Sequence, residues 1–108
     1  MANTFTSYAN KDVGTSPATV VTVGAGTQTT VVGMSVANTS ASPITASAYF
    51  TRSAVDYYLI KSATVPVGSS LVLVGGDQKV VLVPSDALKV VTSAAASADV
   101  VTSVLNIT

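Results

Sequence analysis

Side chains that usually carry out enzymatic chemistry are scarce in this sequence. Histidine and cysteine are absent, and the five acidic residues are all aspartates. The chain therefore cannot form a Ser-His-Asp triad, a thiolate nucleophile or a zinc site with His or Cys ligands. A neighbouring pair such as Lys61-Ser62 is no substitute, because adjacent strand residues point to opposite faces. We expect a protein that is not an enzyme and that holds no cofactor or metal.

The five aspartates are scattered singly and do not have the spacing of a calcium-binding loop. Asp77 and Asp86 lie in turn-like segments, where an Asp side chain bonds to the backbone two residues further on. Gly24-Ala25-Gly26 lacks the third glycine and the helix of a dinucleotide-binding motif, so we interpret it as a turn. The five basic residues are dispersed and predict no nucleic-acid partner.

Aromatic side chains are the remaining candidates for a functional surface. Tyrosine supplies a large contact area with few torsions and carries a polar tip. An alternative is that the tyrosines cover the core and leave their hydroxyls in water. The candidate interface residues are Phe5, Tyr8, Tyr49, Tyr57 and Tyr58.

The overall composition favours association with other subunits. Charged residues make up 9% of the chain and cancel to a net charge of zero, whereas soluble domains average about 25% charged residues. A neutral, charge-poor surface tends to associate, so we expect a homo-oligomer; the alternative is a small low-charge domain that stays in solution. The first residues do not have the pattern of a signal peptide, and no apolar run is long enough to predict a membrane partner.

Short runs rich in valine and threonine, bounded by Gly, Pro, Asp and Ser, predict an all-β fold. The segment 65–91 is typical, with three strands and two turns. About eight short strands at regular spacing predict a single antiparallel β-sandwich of jelly-roll or immunoglobulin-like type. The predicted strands are Ala18–Val23, Thr27–Ala37, Ile44–Arg52, Tyr57–Lys61, Leu71–Val74, Val80–Val83, Leu88–Val91 and Asp99–Ile107.

The alternation of side chains predicts which strand faces form the core. In the second predicted strand we assign Met34 and Val36 to the core face together with Thr30 and Val32, and Gly33 suggests a bulge. In the third, the face of Phe50 is assigned to the core and that of Tyr49 to the outside. Residues 93–98 are predicted to form a loop.

Three segments between strands are predicted to be turns. They are Ser53-Ala54-Val55-Asp56, Gly75-Gly76-Asp77-Gln78 and Pro84-Ser85-Asp86. Ser85, at the middle of the last turn, fits that position only if no positive φ is required there, so the type of this turn stays open.

The sandwich domain is assigned to residues 17–108, and residues 1–16 are polar apart from Phe5 and Tyr8. We interpret residues 1–16 as an N-terminal arm anchored by its two aromatic rings. The alternative is an edge strand on the domain's own sheet. A true arm predicts that removal of residues 1–12 leaves the fold intact.

Over roughly residues 30–107 the chain resembles small virion proteins of tailed bacteriophages. The most specific element is Gly75-Gly76-Asp77-Gln78-Lys79 with a strand on each side. The other segments that carry the resemblance are 32–40, 56–61, 65–71, 88–90 and 97–101.

This resemblance implies a non-enzymatic structural protein located in the phage particle, with the major capsid protein or other virion proteins as partners. A capsid decoration or cement protein that stabilises capsomer contacts is the first hypothesis. A tail, neck or baseplate component is the alternative. A carbohydrate- or host-surface-binding module that uses Tyr49, Tyr57 and Tyr58 is a third.

Overall fold

The computed structural model of the chain describes residues 3–74 and 79–108, which form nine β-strands. All eight predicted strands are present, and a ninth precedes them at the N-terminus. The turn predicted at 75–78 lies outside the described residues. The strands are β1 (Asn3–Val13), β2 (Ala18–Thr22), β3 (Gln28–Asn38), β4 (Ile44–Arg52), β5 (Val55–Val65), β6 (Ser70–Val74), β7 (Val80–Leu82), β8 (Ala87–Thr92) and β9 (Ala98–Ile107).

The strands form two antiparallel sheets that pack as a sandwich. One sheet has the order β1-β9-β3-β6, with β7 also paired to β3, and the other has the order β2-β8-β4-β5. The pairings are nested: β4 pairs with β5, β3 with β6 and β7, β2 with β8, and β1 with β9. A long antiparallel ribbon rolled into two sheets in this way is a jelly roll. Of the two predicted types of sandwich, the topology therefore selects the jelly roll.

The core lies between the two sheets and consists mainly of aliphatic side chains. Met34, Leu82 and Leu88 are its largest fully buried members, and valines fill most of the remaining space. Small residues on β4, such as Ala46 and Ala48, let the facing sheet approach closely. The alternating burial along β8 and β9 shows why short Val-rich segments form these strands: each buries one face and exposes the other.

The bulge predicted at Gly33 is present and changes the orientation of half of β3. Val31 pairs with Val104 and Gly33 with Ser103, so Val32 is the extra residue of the bulge. Met34 and Val36 face the core as predicted, but before the bulge the core face carries Thr29 and Val31. The assignment of Thr30 and Val32 to the core was therefore wrong, because an extra residue reverses the alternation of side chains.

Residues 3–13 form an edge strand, which is the second of the two interpretations of the N-terminal segment. From Asn3 to Asn10 each residue of β1 pairs in unbroken register with β9. Tyr8 packs against the core, and Val13 is buried within it. The link between β1 and β2 spans residues 14–17.

Two tight turns hold non-glycine residues at positive φ. The β4–β5 hairpin turns at Ser53 and Ala54, with φ of 53° and 63°, while Val55 already belongs to β5. In the turn from Val83 to Asp86, the Asp86 amide donates to the Val83 carbonyl at 3.0 Å. Ser85 in this turn has a φ of 76°, which fits a type II turn with Pro84 as its first central residue. Ser85 therefore occupies a position with a positive φ, which gives the turn type that the sequence left open.

Candidate interaction surface

The outer face of the five-stranded sheet carries three cross-strand rows of side chains that contain no charged residue. The register places Phe5 beside Leu105, Leu105 beside Thr30, and Thr30 beside Val81. We call the outer surface formed by these rows the neutral face. The middle row consists of Ser7, Ser103 and Gly33, and the third consists of Ala9, Val101, Ser35 and Val72.

Large apolar side chains are unusually exposed on the neutral face. Phe5 is 77% exposed, and Val72, Val81 and Val101 are each at least half exposed. Apart from Leu105 beside Phe5, their cross-strand neighbours are small or hydroxyl-bearing side chains, which cover little of their surface. An ion pair between Lys11 and Asp99 (3.6 Å) lies at one end of the sheet, beyond the rows. An exposed, uncharged patch of this kind is typical of a surface that is covered by another subunit.

The outer face of the four-stranded sheet has a different character. The Tyr49 and Tyr58 rings lie 4.9 Å apart, and the Lys61 ammonium group lies 4.9 Å from the centre of the Tyr58 ring. Asp56 accepts a hydrogen bond from the Thr51 hydroxyl at 2.8 Å. Burial raises the pKa of the Tyr49 phenol, and the Asp56 carboxylate raises it further, so Tyr49 remains neutral.

A third cluster closes the end of the sandwich where the β4–β5 hairpin turns. The Phe50 ring stacks on Tyr57 at 5.3 Å, and the Arg52 guanidinium lies 5.1 Å from the Phe50 ring centre. Arg52 donates from Nε and from the terminal Nη2 to the buried Asp86 carboxylate, at 2.9 and 2.6 Å. This bidentate pair and the ring stack connect the hairpin to the turn before β8.

Asp86 lies in a turn, as predicted, but its side chain bonds elsewhere than expected. Its Oδ2 accepts from the Val83 amide at 2.9 Å, three residues earlier, instead of from an amide two residues further on. The hydrogen bonds from Arg52 hold the pKa of the Asp86 carboxyl below its ordinary value, and the Val83 amide lowers it further. Asp86 therefore stabilises the fold as an ionised carboxylate.

The five predicted interface residues lie on separate surfaces. Phe5 is on the neutral face, whereas Tyr8 lies on the opposite face of β1 and packs against the core. Tyr58 is half exposed on the outer face of the four-stranded sheet and covers Tyr49, which is 7% exposed. Tyr57 is also half exposed but stacks on Phe50 at the end of the sandwich. The structure thus brings together Tyr49 with Tyr58 and leaves the others apart.

The valines of the neutral face were not among the interface residues predicted from the sequence. Val72 and Val81 lie in short apolar runs, which look the same in sequence whether one face or both faces of the strand are buried. A signal was present in β9, where Val101, Ser103, Leu105 and Ile107 share a face. Only the positions of the neighbouring strands show that this face is the exposed one.

Within residues 3–74 and 79–108, no group of three or more Asp side chains lies close enough together to hold a metal ion. In the same residues no helix could span a membrane.

Comparison with known proteins identifies the fold but no family. No family model matches the chain, and no curated protein matches it in sequence. A solved structure of Bacillus endospore appendages, a novel family of disulfide-linked pili, is 13% identical with a TM-score of 0.58. That match covers 99% of this chain and 87% of the other.

Two structures of infectious bursal disease virus have the same fold. The Gx strain structure is 14% identical with a TM-score of 0.54, and the T13 viral particle is 10% identical with a TM-score of 0.53. Each match covers 96% of this chain, which spans about a third of the viral chain: 36% in the first and 35% in the second. The TM-scores above 0.5 show a shared fold.

Proposed function

We propose that this chain is a non-enzymatic structural protein of a virus particle, and specifically a decoration or cement protein that binds the outside of a shell. The observation that best supports the proposal is the neutral face, where exposed Phe5, Val72, Val81 and Val101 lie among uncharged neighbours. Such a surface is suited to burial against another subunit. The similar folds in a pilus and in two structures of infectious bursal disease virus are consistent with a subunit of an assembly.

The resemblance to tailed-bacteriophage virion proteins supports a phage particle in particular. In that setting the major capsid protein is the proposed partner, and the half-exposed Tyr57 and Tyr58 are proposed contacts with it. Each contact can be weak, because many copies on one lattice act together. The disulfide linkage described for the endospore pili is not open to this chain, which has no cysteine.

Copy number in purified particles tests this proposal. Quantitative mass spectrometry would measure the molar ratio of this chain to the major shell protein. A decoration protein spread over the shell should give about one copy per shell subunit or a simple fraction of it. A few copies per particle would instead support the alternative, a tail, neck or baseplate component at one vertex, and would overturn the cement role.

The positions of the tyrosine rings argue against a carbohydrate-binding module. A sugar-stacking platform needs several exposed rings on one surface, but Tyr49 is covered by Tyr58, and Tyr57 stacks on Phe50 at the end of the sandwich. A glycan array with specific hits that are lost in Tyr58→Ala would instead support such a module.

A further inference from the structure

We propose that the neutral face is where two copies of this chain bind each other, sheet against sheet. The inference rests on the proposed role as an assembly subunit and names the partner of this face. The resulting interface is isologous, with the same surface contributed by both copies.

The charge distribution favours a second copy as the occupant. The three rows of the neutral face offer Phe, Leu, Val, Ala, Ser, Thr and Gly side chains and no charge. A charged partner surface would lose its hydration here without gaining an ionic contact, which costs free energy. The same face on another copy meets this requirement of neutrality, whereas the outer face of the four-stranded sheet carries Asp56 and Lys61.

The area of the face is adequate for a weak dimer. Four strands side by side span about 19 Å, and three rows two residues apart extend for about 20 Å along the strands. Two such faces together bury roughly 750 Å², which is below the range of stable protein–protein interfaces and suits a weak one. The proposed dimer is therefore expected only towards the upper end of micromolar concentrations.

The surface shape of the neutral face is suited to packing against the same face of a second copy. The middle row of Ser7, Ser103 and Gly33 has little side-chain volume, and it lies between two rows that carry Phe5, Leu105, Val101 and Val72. A hollow of about 370 Å³ opens beside Phe5 and is lined by Phe5, Thr6, Ser7, Ser103 and Val104. In the dimer the Phe5 ring of each copy occupies the middle row of the other, which removes the most exposed aromatic ring of the described chain from water.

Sedimentation velocity on the purified chain, from about 1 to 200 µM, tests the inference. The wild type should shift from monomer to dimer over this range. Val101→Lys and Val72→Lys each place a charge on the neutral face and should weaken the dimer at least tenfold. Val55→Lys is the matched control, since Val55 is 49% exposed, like Val101 at 50%, but begins β5 of the other sheet. It should dimerise like the wild type.

Circular dichroism and urea unfolding would establish that each variant is folded, and Val72 on edge strand β6 is the safer site if Val101→Lys unfolds. A wild type that stays monomeric at 200 µM overturns the inference, as does equal weakening by Val55→Lys. If the chain is monomeric yet Val72→Lys abolishes binding to particles, the neutral face binds the shell protein and not a second copy. The inference then fails while the proposed function stands, because copy number in particles is measured independently.

Discussion

Single residues in this jelly roll adopt backbone conformations that their side chains disfavour. Ser85 has a φ of 76° in a turn from Val83 to Asp86, and Gly68 has a φ of 70° in the comparable turn from Pro66 to Ser69. The left-handed region costs a non-glycine residue about 1–2 kcal/mol. The two turns therefore differ mainly in whether this cost is present.

Replacing Ser85 with glycine should stabilise the protein. Ser85→Gly removes the left-handed strain, while the added freedom of the unfolded chain offsets part of the gain, so we expect a net increase of about 0.5–1 kcal/mol in the free energy of unfolding. Gly68→Ser is the reciprocal control and should lose a similar amount, since an added Cβ there meets no atom within 4 Å. Urea unfolding measures both. A Ser85→Gly protein less stable than the wild type would contradict this account of the turn.

The carboxylate of Asp86 should make stability depend on pH. Its pKa is held below the ordinary value of 3.8 by Arg52 and the Val83 amide. The stabilisation is therefore complete above the ordinary pKa and is lost as the pH falls towards the lowered pKa. Asp86→Asn should cost about 2 kcal/mol near neutral pH, and the loss is limited because Arg52 is 41% exposed.

Urea unfolding between about pH 7 and pH 2 should show the difference between wild type and Asp86→Asn shrinking as the pH falls. Asp56→Asn is the matched control, because the Asp56 carboxylate bonds an exposed hydroxyl and should change stability by less than about 0.5 kcal/mol. A difference between wild type and Asp86→Asn that does not vary with pH would mean that ionisation of Asp86 is not the source of the stabilisation.

At the scale of elements, strand β1 combines a structural face with an exposed one. Tyr8 points towards the core, whereas Phe5 lies on the neutral face, and both residues pair with β9. Removal of residues 1–12 would leave the backbone of β9 unpaired along one edge. The sequence-based expectation that this deletion leaves the fold intact is therefore replaced by an expected loss of cooperative unfolding.

Point substitutions distinguish the contributions of the two faces of β1 to stability. Tyr8→Ala should lower the free energy of unfolding by about 2 kcal/mol, because a ring packed on the core is removed. Phe5→Ala should change the stability of the monomer by less than about 0.5 kcal/mol, because its ring is exposed. Thermal unfolding at concentrations below dimer formation measures both effects. Equal losses of stability in the two variants would mean that the Phe5 ring also contributes to the stability of the monomer.

Among the described residues, the three rows of the neutral face carry no charge, and this determines how association should respond to salt. An interface without charges gains little from Coulomb attraction, so screening should not weaken it. The dissociation constant of the proposed dimer should change less than twofold between about 50 and 500 mM NaCl, and sulfate should tighten it through stronger apolar burial. Sedimentation at each salt concentration measures this. A tenfold weakening in NaCl would show that ionic contacts maintain the dimer.

Local sequence patterns were sufficient to predict much of this molecule. Alternation with a period of two and turn-forming residues located the eight predicted strands, and the missing His and Cys excluded common catalytic sites. They did not give the full orientation of β3, because one bulge residue reverses the faces on either side of it. Nor did they distinguish an arm from an edge strand at residues 3–13, since the partner β9 is nearly the whole chain away.

The candidate surface was decided by tertiary structure. Phe5 was identified in the sequence, but Val72, Val81 and Val101 become one surface with it because β9 lies between β1 and β3, and β6 and β7 both pair with β3. Asp86 likewise acquires its role from Arg52, which is 34 residues away. The chain by itself determined an all-β, charge-poor protein, because strand propensity and charge are properties of residues and their near neighbours. The nested pairing of distant strands determined which apolar side chains remain exposed.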